Sequence, residues 1–240
     1  MGKLTIWCAS IALTTLLTGQ NHCRAQGKSG NEKPIPIRIG SAPASEVGAL
    51  PPLTTAIGKR AAKAFLKGNL LEARDAFLEI LKSDPNNAPT LTNLGATFLE
   101  LKQYTLARTH LEKALQANPT LHQARTILGI TYLRSGDSYL AISALSRVVA
   151  AEPKNARAHN YLAMATLEKG WTQAAERQLQ EAVSADPGFA DAHYNLAIRY
   201  MEKKPPAVEL ARRHYQRAID LGATPSSKLH TRIQSAKNNK

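Results

Sequence analysis

The sequence predicts an all-α chain built from about five copies of one two-helix unit, and four columns of residues predict it. Pro85, Pro119, Pro153 and Pro187 stand 34 residues apart. With 13 prolines in 240 residues, three further hits at one chosen spacing arise by chance roughly once in 6,000. Ala73, Ala107, Ala141 and Ala175 keep the same spacing, as do Gly95 and Gly129, with Ala61, Ala163 and Ala197 as small stand-ins. Gly68, Gly136 and Gly170 mark a fourth column.

Composition bounds the reading. A chain that is 43% hydrophobic and 20% charged folds, and it is no polytopic membrane protein, because its one uninterrupted apolar stretch lies within the first eighteen residues. Aromatic content of 5% suits many small interfaces better than one large core.

The N-terminal segment has the layout of a secretory signal peptide. Lys3 is basic, Leu4 to Leu17 is apolar, and Thr18 to Ala25 is polar. Cys23 and Ala25 place cleavage after Ala25, giving a signal peptide over 1–25. An uncleaved N-terminal anchor and a cytosolic chain with an apolar start are the alternatives. Both cysteines, Cys8 and Cys23, fall in that segment, so the mature chain is expected to carry no disulfide or thiol chemistry. The expected localisation is periplasmic or extracellular, or, as the alternative, membrane-anchored at the N-terminus. Residues 26–53 hold Pro34, Pro36, Pro43, Pro51 and Pro52 among Gly and Ser and read as a mobile linker.

Removing residues 1–25 deletes Lys3, Arg24 and no acid, so the net charge falls from +13 to +11. The excess is spread along the chain and is concentrated only in the tail from Ser226 to Lys240, which has four bases and no acid. A diffuse field suits loose attraction to anionic surfaces; a nucleic-acid reader clusters its bases on one face. No nucleic-acid partner is expected.

Each column has a mechanical reason. The glycines between helical runs supply positive φ where the first helix must end; Lys102 and Lys204 depart from the column. The small residues around Gly95 and Gly129 let paired helices approach closely against the alanines of the second helix. Each proline follows Asp84, Asn118, Glu152 or Asp186 and stops the second helix there.

This pattern resembles the tetratricopeptide repeat family. Leu94, Gly95, Phe98, Ala107, Ala114 and Pro119 match it, as do Leu128, Gly129, Tyr132, Gly136, Ala141 and Pro153. The resemblance covers units 54–87, 88–121, 122–155, 156–189 and 190–225. Unit one is the weakest, with Ala64 where the family favours an aromatic. Unit five fits once two residues are inserted near Lys204, Pro205 and Pro206. Its closing stretch resembles that of exported bacterial members. The resemblance implies a right-handed α-solenoid of about five helix-turn-helix repeats, each touching only its neighbours. Residues 226–240 form a short cap helix, with Leu229 and Ile233 on one face, or a basic tail.

Catalytic chemistry is not indicated. His159 and His193 are one repeat apart, and so are His110 and His214 once the insertion is removed; equivalent places on successive units suit packing or surface roles, not shared ligation of one ion. The chain has no HExxH, phosphate loop or GxSxG elbow. No enzyme activity, metal or cofactor is expected.

In this family the inner groove is lined by the first helix of each unit. The residues the resemblance maps there are Ala96 with Leu99, Ile130 with Leu133, Met164 with Leu167, and Ile198 with Met201, each pair sharing a helix face. Arg157, Asn160 and Tyr194 are polar exceptions. Family members that grip a C-terminal carboxylate use Lys, Arg and Asn at inner sites held here by Thr92, Ala96, Thr126 and Ile130, which argues against a carboxylate clamp. The expected function is a non-enzymatic scaffold of the cell envelope that holds a protein or peptide partner in an apolar groove. Three alternatives stand beside it. The apolar stripe is simply core; the linker folds back into the groove; or the protein makes peripheral contact with an anionic envelope polymer or membrane surface through Arg212, Arg213 and the basic tail.

Overall fold

A computed structural model describes Leu53 and residues 55–238. The signal-peptide reading, the linker apart from Leu53, and the last two residues lie outside the described residues. Those described form eleven helices and no strand. In chain order they are α1 (Ala56–Leu66), α2 (Leu70–Ser83), α3 (Ala88–Glu100), α4 (Tyr104–Ala117), α5 (His122–Ser135), α6 (Ser138–Ala151), α7 (Ala156–Glu168), α8 (Thr172–Ala185), α9 (Ala190–Met201), α10 (Val208–Asp220) and α11 (Ser227–Asn238). The first ten pair off as α1 with α2 through α9 with α10, and each second helix packs on the first helix of the next pair. The stack therefore follows sequence order, as an α-solenoid requires.

Local chemistry sets the helix ends. Thr55, Asn87 and Asn155 each accept a hydrogen bond from a backbone N–H three residues on, at 3.0, 2.9 and 2.9 Å, and so cap α1, α3 and α7. At the other end of each unit Asp84, Asn118, Glu152 and Asp186 leave the helical region, with φ between −126° and −142°, because the ring of the following proline crowds a helical conformation there.

The turn inside each unit is one device repeated. The N–H groups of Asn69, Gln103, Asp137 and Trp171 donate five residues back, to the carbonyls of Ala64, Phe98, Tyr132 and Thr166, at 2.8–2.9 Å. This is a Schellman closure, which needs one residue with positive φ. Gly136 supplies it at φ 86°, whereas Lys102 adopts φ 58° despite its side chain. In unit five Ala207 donates seven residues back, to Tyr200, at 3.0 Å. The two extra residues are taken up inside the same closing bond, which is why Ala211, Tyr215 and Ala218 return to phase and are buried.

Close packing follows from the small columns. Ala73, Ala107, Ala141, Ala175 and Ala211 are fully buried. A Cβ on Gly95 would stand 2.5 Å from Leu111 Cγ, and one on Gly129 2.6 Å from Leu145 Cγ. The glycines are thus pressed chiefly by leucines of the second helix; a Cβ on Gly95 would also stand 3.3 Å from the backbone carbonyl of Ala107. Helix α11 lies against α10 and α9 and buries Leu229 and Ile233. Tyr215 ties the intervening turn: its hydroxyl donates to the Ser226 carbonyl at 3.1 Å and accepts from the Ser226 N–H at 3.0 Å.

Candidate partner-binding face

The first helices α3, α5, α7 and α9 carry the residues assigned to the groove. Direct contacts join α1 to α3, α3 to α5 and α5 to α7, so equivalent side chains on successive units form a row. Ala96, Leu99, Ile130, Leu133 and Met164 belong to one continuous apolar cluster; Tyr194, Ile198 and Met201 belong to a second, with Leu167 packed at its edge. The sequence left open whether this stripe is exposed or covered, and the row is covered: all these residues except Leu167 are buried, and Leu167 is half-buried. Along α3 every residue from Thr90 to Leu99 is buried, a run long enough to wrap the whole helix circumference.

The polar exceptions are engaged. Asn160 is buried; its Oδ1 accepts a hydrogen bond from Asn195 Nδ2 at 3.0 Å, and its own Nδ2 contacts Met164 Sδ at 3.9 Å. Arg157 is half-buried with its guanidinium 5.9 Å from the centre of the Phe189 ring. Tyr194 is buried with its ring 6.2 Å from that of Tyr215.

Two further residues enter the site. Glu100 and Arg134 follow Leu99 and Leu133 and share with Leu99, Lys102 and Tyr104 a cavity of about 130 Å³. Glu100 Oε1 is buried and accepts no hydrogen bond from the described residues. Burial therefore pushes its carboxyl up to about 7, because removal from water disfavours the charged form. Burial lowers the Arg134 guanidinium for the same reason, and it pushes the Tyr161 hydroxyl up to about 12. The only sequence signal for Glu100 and Arg134 was their common place in the repeat, 34 residues apart; nothing local distinguished them from solvated charges at a helix end.

His110 and His159 pack. His110 stacks on Phe98 with ring centres 5.3 Å apart. His159 reaches Gln178 Oε1 at 2.7 Å and the Pro153 carbonyl at 2.9 Å. Among the described residues, no three His, Cys, Asp or Glu side chains gather as a metal site would require, and no helix is long and apolar enough to cross a membrane.

Three family models, each described as tetratricopeptide repeat, match residues 76–109, 98–165 and 167–228. The chain belongs to the tetratricopeptide repeat family. Solved structures of tetratricopeptide repeat proteins share its fold. MamA is 27% identical over 70% of this chain and 96% of its own, with a TM-score of 0.59. YrrB, described as "a TPR protein with an unusual peptide-binding site", is 24% identical over 81% of this chain and 94% of its own, at 0.55. Pseudomonas aeruginosa PilF is 16% identical over 77% and 84%, at 0.69. A comparison with curated proteins gives no match. Tetratricopeptide repeat families supply protein–protein interaction scaffolds and are generally non-enzymatic, and the fold of this chain suggests a protein–protein interaction scaffold.

Proposed function

We propose that this protein is a non-enzymatic scaffold, exported to the periplasm or cell surface, whose first-helix wall holds an apolar segment of a partner protein. The observation that carries the reading is the apolar row Ala96, Ile130, Met164 and Ile198, flanked by Leu99, Leu133, Leu167 and Met201 at the same places in four successive units. A row of that kind offers an amphipathic helix or extended peptide a line of anchors. Because the row is covered, a segment seats there by replacing contacts already made, so its affinity is the difference between two sets of contacts. The half-buried Arg157 and Leu167 are where replacement begins. Placement in the envelope rests on the layout of residues 1–25.

A photo-crosslinking residue at 157 or 167, compared with one at the exposed outer positions 147 or 216, tests the wall. The expected outcome is a discrete partner adduct in envelope extracts from the inner positions and none from the outer ones; adducts from outer positions alone reject it. A second reading is favoured by α11, which carries Lys228, Arg232 and Lys237 and no acid, next to the exposed Arg213 and Arg217 of α10. Adducts confined to that end, and lost as salt is raised, support attachment to an anionic envelope polymer or membrane surface instead.

A further inference from the structure

We propose that the contact between α9 and α10 is a proton-sensitive latch: in acid the His193–His214 pair takes up a second proton, the two rings repel, and α10 with its cap α11 loosens while the preceding units stay folded. The inference is independent of how the inner wall is used.

The geometry fixes the hydrogens. His193 Nε2 lies 3.2 Å from the Pro187 carbonyl, which can only accept, so Nε2 carries a hydrogen. His193 Nδ1 lies 2.9 Å from His214 Nδ1. In the neutral pair His193 Nδ1 therefore accepts and His214 Nδ1–H donates. One added proton is tolerated: it settles on His193 Nδ1, and His214 shifts its own hydrogen to Nε2 and accepts. A second proton leaves an N–H on both facing nitrogens, and no arrangement of hydrogens preserves the bond. Two positive rings then stand with centres 5.1 Å apart.

The surroundings favour the neutral pair. Burial lowers both imidazoles; for His214, brought down to about 4, the neighbouring His193 and Arg213 add to it. Arg217 also opposes charge on His193, while the Pro187 carbonyl and Asp186, before α9, favour it. The Tyr200 ring of α9 stands 5.6 Å from His214, with Lys203 Nζ over that same ring. Glu176 of α8 is committed to Lys203 at 2.8 Å and Arg199 at 4.0 Å. From α11, His230 faces Tyr215 and not the pair, at 6.3 Å. Both folded values lie below the ordinary 6.5, so the unfolded chain takes up protons first. The contribution is complete above about pH 6.5 and drains away as pH falls toward 4.

Unit four supplies an internal comparison. His159 and Gln178 occupy the same two places, with the same bond to the carbonyl of the preceding proline. A glutamine amide can turn either its oxygen or its NH₂ to the imidazole and takes no proton itself, so that contact survives in acid. The consequence stays local because Tyr215, next to His214, holds the turn into α11.

Hydrogen exchange on the full chain at pH 7.5 and pH 5, expressed as protection factors, tests the latch. Residues 208–238 should lose protection roughly tenfold between the two, while 56–185 lose none, and H214Q, which copies unit four, should remove the loss. H193Q, run in parallel, must also remove it, so a folding defect in one variant leaves the other to decide. Loss that persists in both variants, or that spreads evenly over all units, overturns the proposal.

Discussion

Glu100 shows how one buried atom turns a surface-type residue into a liability. In the repeat it stands where a solvated charge is expected, but its Oε1 is buried and accepts no hydrogen bond from the described residues. Its folded value of about 7 stands above the ordinary 4.5, so the folded chain keeps a proton that the unfolded chain releases. The side chain is therefore harmless below about pH 4.5 and costs stability as pH rises through 7. Glu100→Gln should raise stability at pH 8 by on the order of 1 kcal/mol, after allowing for partial exposure, and change little at pH 4.5. Thermal unfolding at the two pH values checks it; an equal gain at both contradicts the account. The sign is opposite to that of the histidine pair, whose contribution fails in acid. Spacing alone was enough to read His159 and His193 as equivalent residues with packing or surface roles. It could not bring His193 to His214, because that contact crosses two helices and depends on how a turn with two inserted residues closes.

Between paired helices the decisive dimension is the space left for a methyl group. Gly129 faces Leu145 Cγ so closely that an added Cβ would lie 2.6 Å away, inside any ordinary contact. Gly129→Ala gains about 1 kcal/mol of helix propensity but overpacks a buried site at a cost of about 1–3 kcal/mol. Overpacking wins, for a net loss of about 1 kcal/mol and a melting temperature lower by about 2–4 °C. A higher melting temperature would show that the α5 and α6 pair yields easily. Unit four already carries Ala163 at this place, buried in one cluster with Leu179, so that pair has accepted the methyl. Helix ends were legible where pre-proline residues and turn glycines act within a few residues. Lys102 was legible only as an exception: the Schellman bond from Gln103 to Phe98 holds it at positive φ.

Across the described residues, stability is roughly a sum of unit and neighbour terms, since each pair packs mainly on the next. The middle units have a neighbour on both sides, whereas α1 begins the described stack and α11 closes it. Hydrogen exchange at neutral pH should therefore show protection highest in α5 and α6 and falling toward α1 and α11; uniform protection would mean that the chain unfolds as one unit instead. The sequence by itself determined the all-α class, the repeat length, the unit order and the place of the two-residue insertion. Those follow from periodicity and from proline and glycine chemistry, which are local and repeat in phase. Only the tertiary structure decided that the apolar inner row is covered, that Glu100 is buried, and that two histidines share a proton between helices. Each of these depends on which surfaces meet once the helices stack, and residues at identical places in the repeat meet different neighbours in different units.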